Sequence, residues 1–370
     1  MHLRIIEFLQ LFSCSFHKPI ICGGLKTVAN GIMERSKVSP AEASDDYSVL
    51  ANLSTKILPS LFKLVESLNE STSKEMDDEM DIDAALSSKE AQTQSQQNMQ
   101  LVEAVTDAIG QLAQICPPEF LQSLFKKVVQ RLLIVTTEMT DSSEDKDAKN
   151  ATAMKMASML GLGQALVASG SLDDTSLALL YRAIRPLVRT DEHDPRVQKR
   201  AYKVLAEICE RHKDFITSDD RLVEMMDLVV DSIVTCQVSA RNMRLKCMTH
   251  IVQGFDSNNH SHMEVIPKIM GEVLLYLKDS NVKTREAAYQ LLLAMAVARD
   301  DMTDYFRIIL AALGAQTTHM RSAAVMALSR LAFEYARKDR IVQELLPSLM
   351  QTVSILFDDS SREVTKSVIG

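Results

Sequence analysis

A marker of one apolar residue followed closely by a cation, at the start of an amphipathic helix, recurs about every forty residues in this chain. It reads Val197-Gln198-Lys199-Arg200-Ala201, Met243-Arg244, Thr284-Arg285-Glu286-Ala287-Ala288, Met320-Arg321-Ser322-Ala323-Ala324 and Val364-Thr365-Lys366, with copies spaced 46, 41, 36 and 44 residues apart. That period is the length of a helix pair, and a pair buries its apolar stripe only against neighbouring pairs. The marker therefore predicts an all-α stack of antiparallel helix pairs before any single residue is considered.

Composition agrees. The 370 residues include only 5% aromatics and no Trp, with 11 Gly and 9 Pro, a balance suited to side-by-side helices and poor for a strand-rich sandwich. Net charge is −8, yet eight acids and two lysines fall between Glu70 and Glu90, so the rest of the chain is close to neutral. A local basic face is compatible with that balance, although no global basic field is present. The six cysteines, Cys14, Cys22, Cys116, Cys209, Cys236 and Cys247, contain no C-x-x-C pair and read as reduced, packed thiols. No apolar run reaches the length of a membrane span. The Leu3 to Leu11 patch carries Arg4 and Glu7 and stops at Ser13, His17, Lys18 and Pro19, so residues 1–43 are expected to be an irregular tail outside the fold.

From 44 to 370 the pattern predicts a helical array. A capping sequence at Ser44-Asp45-Asp46 opens a helix with Leu50, Leu53, Ile57, Leu61, Leu64 and Leu68 at helical spacing. Residues 70–97 are acidic and then Gln/Ser-rich, which predicts a disordered loop; 140–149 predicts a second, polar loop. From Asn150 onward, helices are expected near 150–169, 172–189, 195–212, 219–237, 240–255, 262–278, 281–298, 302–314, 317–337, 339–357 and from 360. Proline recurs within alternate helices, at Pro59, Pro186, Pro267 and Pro347, each among apolar residues. An interior proline costs about 3 kcal/mol, so its repetition predicts a kink that wraps outer helices over inner ones. Paired helices of this kind make a HEAT/armadillo-type α-solenoid. The short last helix predicts a fragment of a longer array, because a solenoid ends in a polar cap.

Three blocks carry a more specific likeness. Leu180 to Pro186 (Leu-Tyr-Arg-Ala-Ile-Arg-Pro) with Val197 to Leu205, Arg244 to Val252, and Arg362 to Ser367 resemble the C-terminal half of the ribosomal-RNA-processing protein 12-like family, with weaker similarity over residues 45–370. The resemblance implies a karyopherin-like, non-enzymatic scaffold of the nucleus and nucleolus. It implies work in pre-rRNA processing and nuclear export of pre-ribosomal particles, with partners among those particles, rRNA backbone and assembly factors. Contacts with Ran and nucleoporins, and shuttling to the cytoplasm, follow from the same likeness. Set against that likeness the sequence is short, and the family's N-terminal repeats and lysine-rich C-terminal tail are not expected within it. A solenoid alone also fits a general nuclear transport receptor or adaptor, or a protein-only regulatory scaffold.

Catalytic, cofactor and metal chemistry find little footing. Gly161-Leu162-Gly163 begins a dinucleotide-type pattern, but Leu166 replaces its last glycine and no strand precedes it, so close helix packing is expected. His260 and His262, near Asp256 and Glu264, read as a solvated loop, His250 and Cys247 as core, and Met154, Met156, Met159, Met225 and Met226 as core filling. The functional candidate is a ladder of cations on the second helix of each pair: Arg196, Lys199, Arg200 and Lys203; Arg241, Arg244 and Lys246; Lys283 and Arg285; Arg321; Arg362 and Lys366. Each has two readings, a phosphate or partner contact, or a tie between repeats with Asp194, Asp279 and Asp358 placed for pairing. Scarce aromatics direct any RNA contact to backbone and shape. No cofactor, membrane or small-molecule substrate is expected.

Overall fold

The computed structural model describes residues 18–38, 40–74, 100–141, 146–189, 194–217, 219–299, 301–338 and 340–369. Among them there is no strand. The chain divides into two compact units, Met1–His212 and Lys213–Gly370, each a HEAT-type stack of helix pairs.

The first unit contains α1 (Lys18–Val38), α2 (Pro40–Lys74), α3 (100–113), α4 (Pro118–Asp141), α5 (Lys146–Val167), α6 (Asp174–Arg189) and α7 (Pro195–Arg211). Pairing within a repeat joins α4 to α5 and α6 to α7, while α4 packs on α6 and α5 on α7 between repeats. The interior is made by residues at helical spacing, including Leu121, Phe125 and Val128 on α4, and Val197, Ala201, Val204, Leu205 and Ile208 on α7, all buried. Small residues allow helices to approach: a Cβ on Gly110 of the second helix α3 would lie 3.5 Å from the Ala165 carbonyl oxygen of the second helix α5, and Gly163 of α5 faces Leu180 of the first helix α6. Gly161 and Gly163 thus have a packing role. Met156 and Met159 are buried in the same layer.

The second unit contains α8 (Asp219–Asp231), α9 (Arg241–Val252), α10 (His260–Tyr276), α11 (Val282–Ala298), α12 (Met302–Ala311), α13 (Thr318–Tyr335), α14 (Arg340–Ser354) and α15 (Arg362–Ile369). Second helices stack, α9 on α11 and α13 on α15, and first helices follow, α10 on α12 and α12 on α14. Met225, Met226, Cys247 and Met248 fill the interior. Tyr305 is fully buried and its hydroxyl donates to the Leu292 carbonyl at 2.7 Å, satisfying the polar tip in an apolar setting.

Caps fix where helices begin. The side chains of Asp194, Asn259, Asn281 and Asp301 accept from backbone amides two residues on at 2.8, 3.0, 2.8 and 2.9 Å, each contributing about 1 kcal/mol. All four repeated prolines lie inside first helices, α2, α6, α10 and α14. Pro186, Pro267 and Pro347 face solvent, where water satisfies the carbonyl that the proline leaves without a donor.

Several expectations are corrected. Residues 18–38 are not an irregular tail: they form α1, whose Cys22, Leu25, Ala29 and Ile32 are buried and which packs on α2. The glycines at 23 and 24 do not stop it, because burial of one face outweighs their weak helix propensity. The α2 helix begins at Pro40, not 44, and reaches Lys74. Residues 75–97 of the expected disordered loop lie outside the described residues, as do 1–17. Of the polar loop expected at 140–149, α4 takes residues through Asp141 and α5 those from Lys146; 142–145 lie outside the described residues. His262 is not in a solvated loop either. It is buried, stacks on Phe255 with ring centroids 5.0 Å apart, and its Nδ1 accepts from the Asp256 amide at 3.1 Å.

Candidate functional site

The predicted cations lie on second helices, and the structure gives them three different environments. Arg244 on α9 is fully buried. Its Nε donates to the Val229 carbonyl of α8 at 2.8 Å, and both terminal nitrogens donate to the Glu272 carboxylate of α10, the longer contact being 3.1 Å. One guanidinium thus joins both helices of its own repeat to the first helix of the next. A residue with no exposed surface cannot meet a phosphate, so Arg244 is withdrawn from the contact set.

A second group ties loops and repeats together while remaining partly exposed. Arg241 reaches Asp279 at 3.2 Å and lies over the Tyr276 ring at 5.5 Å. Arg321 forms a fork on Asp359 at 2.8 and 3.0 Å and also donates to the carbonyls of Ala315 and Gln316 at 2.9 and 3.1 Å. Arg285 makes the matching loop contacts, donating to the carbonyls of Asp279 and Ser280 at 2.7 and 3.0 Å. In both cases the accepting carbonyls lie six and five residues earlier, where the chain turns into the second helix. The aspartate of the last tie is Asp359, not the expected Asp358, which is exposed. Asp359 is selected because it stands two residues before Ser361, whose amide it also accepts at 2.9 Å, as Asp279 does from Asn281 at 2.8 Å. Arg321 beside Asp359 holds that carboxyl below the usual range. In the first unit Arg196 pairs with Asp194 at 2.8 Å and donates to Asn150 on α5, and it lowers the Asp194 carboxyl in the same way.

The third group faces outward. Lys246, Lys283, Arg362 and Lys366 are exposed on α9, α11 and α15 of the second unit. In the first unit, Lys199, Arg200 and Lys203 are half-buried on α7. Arg200 and Lys203 line a polar groove of about 410 Å3 with Lys26, Arg211, Glu103, Asp107 and Glu207. Carboxylates are mixed among those cations: Lys26 meets Asp107 at 2.7 Å, Arg211 meets Glu207 at 3.3 Å, and Arg200 lies 3.8 Å from Glu103. That groove is electrostatically balanced, whereas the exposed cations of the second unit are a better match to a polyanion.

Sequence reasoning missed Arg330. It is exposed on α13, its guanidinium lies 4.7 Å from the centre of the Tyr289 ring on α11, and it shares a cavity with Lys366. The available signal was the polar step Ser329-Arg330 within the otherwise apolar run from Ala323 to Leu331.

Other polar groups serve the core. His250 is half-buried, with Nδ1 3.3 Å from Gln253. Cys22, Cys116, Cys209, Cys236 and Cys247 are free thiols and buried. Burial pushes the Cys22 thiol up to about 11 and Cys209 to about 12, which makes them poor nucleophiles. No helix among the described residues is long and apolar enough to cross a membrane.

No protein-family model matches the chain. It is 29% identical over 210 residues to the RRP12-like protein of Gallus gallus, covering 54% of this chain and 16% of that protein. It is 25% identical over 376 residues to ribosomal RNA-processing protein 12 of Saccharomyces cerevisiae, covering 95% of this chain and 28% of that protein. The chain therefore spans less than a third of the length of these relatives. Their names match the family that the Ile184-Arg185-Pro186 block resembles. Among solved structures, the karyopherin Kap121p bound to the extreme C-terminus of the protein phosphatase Cdc14p aligns with a TM-score of 0.41 at 12% identity, over 73% of this chain and 27% of that one.

Proposed function

We propose that the chain is a non-enzymatic scaffold of ribosome biogenesis, working in pre-rRNA processing and nuclear export of pre-ribosomal particles from the nucleus and nucleolus. The observation that carries this reading is the alignment of nearly the whole chain with a yeast protein named for ribosomal RNA processing. Stacked helix pairs suit the role physically, since they offer long surfaces on which several partners can sit at once.

RNA is held, in this reading, by Lys246, Lys283 and Arg362 in the second unit. Arg241, Arg244, Arg285 and Arg321 hold the helices that position them. Contact is to phosphates: aromatics make up only 5% of the chain, so the three cations meet a backbone through charge and not bases through stacking. Assembly factors occupy other surfaces, including the balanced groove at Arg200 and Lys203.

The test is sedimentation of the tagged chain from nuclear extract. The proposal expects co-migration with pre-ribosomal particles, nucleolar staining and ultraviolet crosslinks to pre-rRNA. A chain that stays at the top of the gradient and outside the nucleolus overturns it.

A further inference from the structure

A cavity of about 430 Å3 lies between α13 and α15, lined by Met326, Ser329, Arg330, Glu363, Lys366 and Ser367. We infer that it is a binding site for a phosphomonoester, carried as a phosphoserine or phosphothreonine on an extended peptide.

Two cations open into this space. Arg330 is set by its stacking over Tyr289, an arrangement that immobilises the guanidinium while leaving its N–H edge exposed. Lys366 is exposed on the facing helix. Neither makes an ion pair among the described residues, in contrast to Arg241, Arg244 and Arg321. The one acid of the lining, Glu363, is already engaged: Lys278 holds it, and His319 Nδ1 stands 4.0 Å away. One hydroxyl, that of Ser329, adds to the donors. Ser329 lies one residue before Arg330, whereas Ser367 donates its proton to the Glu363 carbonyl at 2.9 Å and is left as the acceptor in its 2.6 Å contact with Ser322. Met326 supplies an apolar wall for the peptide beside the phosphate. Two cations and one hydroxyl around one space match a dianion with three terminal oxygens.

The surroundings favour a single phosphorylated side chain over a nucleic-acid strand. Glu334 and Glu286 stand beside Tyr289, close enough to act on its hydroxyl, and Glu363 is in the cavity wall. A backbone of successive phosphodiesters passing through would meet these carboxylates, whereas one phosphomonoester enters between them. The site shares no lining residue with the RNA contacts at Lys246, Lys283 and Arg362, of which Arg362 stands one turn before Lys366 on α15, and its failure leaves those contacts untouched.

The test uses the full chain with methionine methyls labelled for NMR, the Met326 signal being assigned by Met326→Leu. The probe is a Gly/Ala octapeptide with one central phosphoserine. We expect the Met326 methyl to shift on titration with this probe and not with its serine form. Arg330→Ala and Lys366→Ala should each weaken binding about tenfold, with Lys366→Arg retaining it and Lys283→Ala without effect. If Arg330→Ala lowers the melting temperature, Arg330→Gln, which keeps the aliphatic stem and a planar polar end without the charge, should give the same loss. No shift with the phosphopeptide overturns the proposal. So does a shift shared by the serine form, indifference to both cation substitutions, or tighter binding of a uridine decanucleotide at the same methyl.

Discussion

Arg321 and Asp359 are paired across one repeat at a separation of 38 residues, and Arg241 and Asp279 are paired at the same separation. The two pairs do the same work from different positions: Arg321 is the fourth residue of α13 and Arg241 the first of α9, and each grips the aspartate that precedes the next second helix. The marker cation Arg321 is therefore itself a bond that holds successive repeats in register, whereas in α9 the tie to the next loop comes from Arg241, three residues before the marker Arg244. The buried Arg244–Glu272 pair strengthens the same joint from inside.

Removing one half of that buried pair should be costly. Arg244→Ala leaves the Glu272 carboxylate in the core without its partner, and the expected loss is about 3–5 kcal/mol in urea unfolding. Replacing both, with Arg244→Met and Glu272→Leu, should recover most of it, since two apolar side chains avoid the desolvation of both charges. A single substitution as mild as the double one would show that the pair is not buried in solution.

Much of this architecture is legible from residues alone. The prolines at 186, 267 and 347 mark first helices because they recur in alternate helices of the repeat among apolar residues, and helix edges follow from Asp and Asn caps such as Asn281. The choice of Asp359 over Asp358 was not legible, since it depends on backbone geometry at the turn into α15. Nor was the withdrawal of Arg244 into the core, although Glu272, a lone acid among Met270, Val273 and Leu274, is the signal for it. The α1 helix was hidden because Gly23 and Gly24 weaken its local preference and only packing on α2 reveals it. The cavity at Arg330 and Lys366 requires two helices to be brought together, which a one-dimensional pattern does not encode.

Acid should loosen these ties in a predictable direction. Asp359 and Asp194 are held below the ordinary carboxylate range by Arg321 and Arg196. Each contributes stability that is complete above its unfolded value, about pH 4, and that is lost as pH falls through the lower folded value. Melting temperature should drop through that window, and Asp359→Asn should make the drop shallower. An unchanged slope in the variant would contradict the assignment.

Gly170 ends the turn after α5 with φ of 72°, and its amide donates to the Val167 carbonyl at 3.0 Å. A Cβ there would meet nothing within 4 Å, so the cost of substitution is purely conformational. Gly170→Ala should destabilise the chain by about 1–2 kcal/mol and Gly170→Asn by less. Equal effects in thermal melts would point to a steric origin.

Thiol chemistry offers an independent check on burial. With Cys14 replaced by Ser, iodoacetamide at pH 8 should label the native chain slowly, because Cys209 ionises only near 12 and Cys22 near 11. Labelling should become fast on addition of urea. Rapid modification of Cys209 under native conditions would be inconsistent with the core of α7.

The division of the repeat cations into ties and contacts is tested most directly by RNA affinity measured at two salt concentrations. Reversal of Lys246, Lys283 and Arg362 to Glu should weaken binding more than about tenfold and lower the salt slope by about 2, with an unchanged melting temperature. Arg321→Ala should do the opposite, lowering the melting temperature and leaving affinity for RNA intact. Unchanged RNA binding in the triple variant would contradict the account.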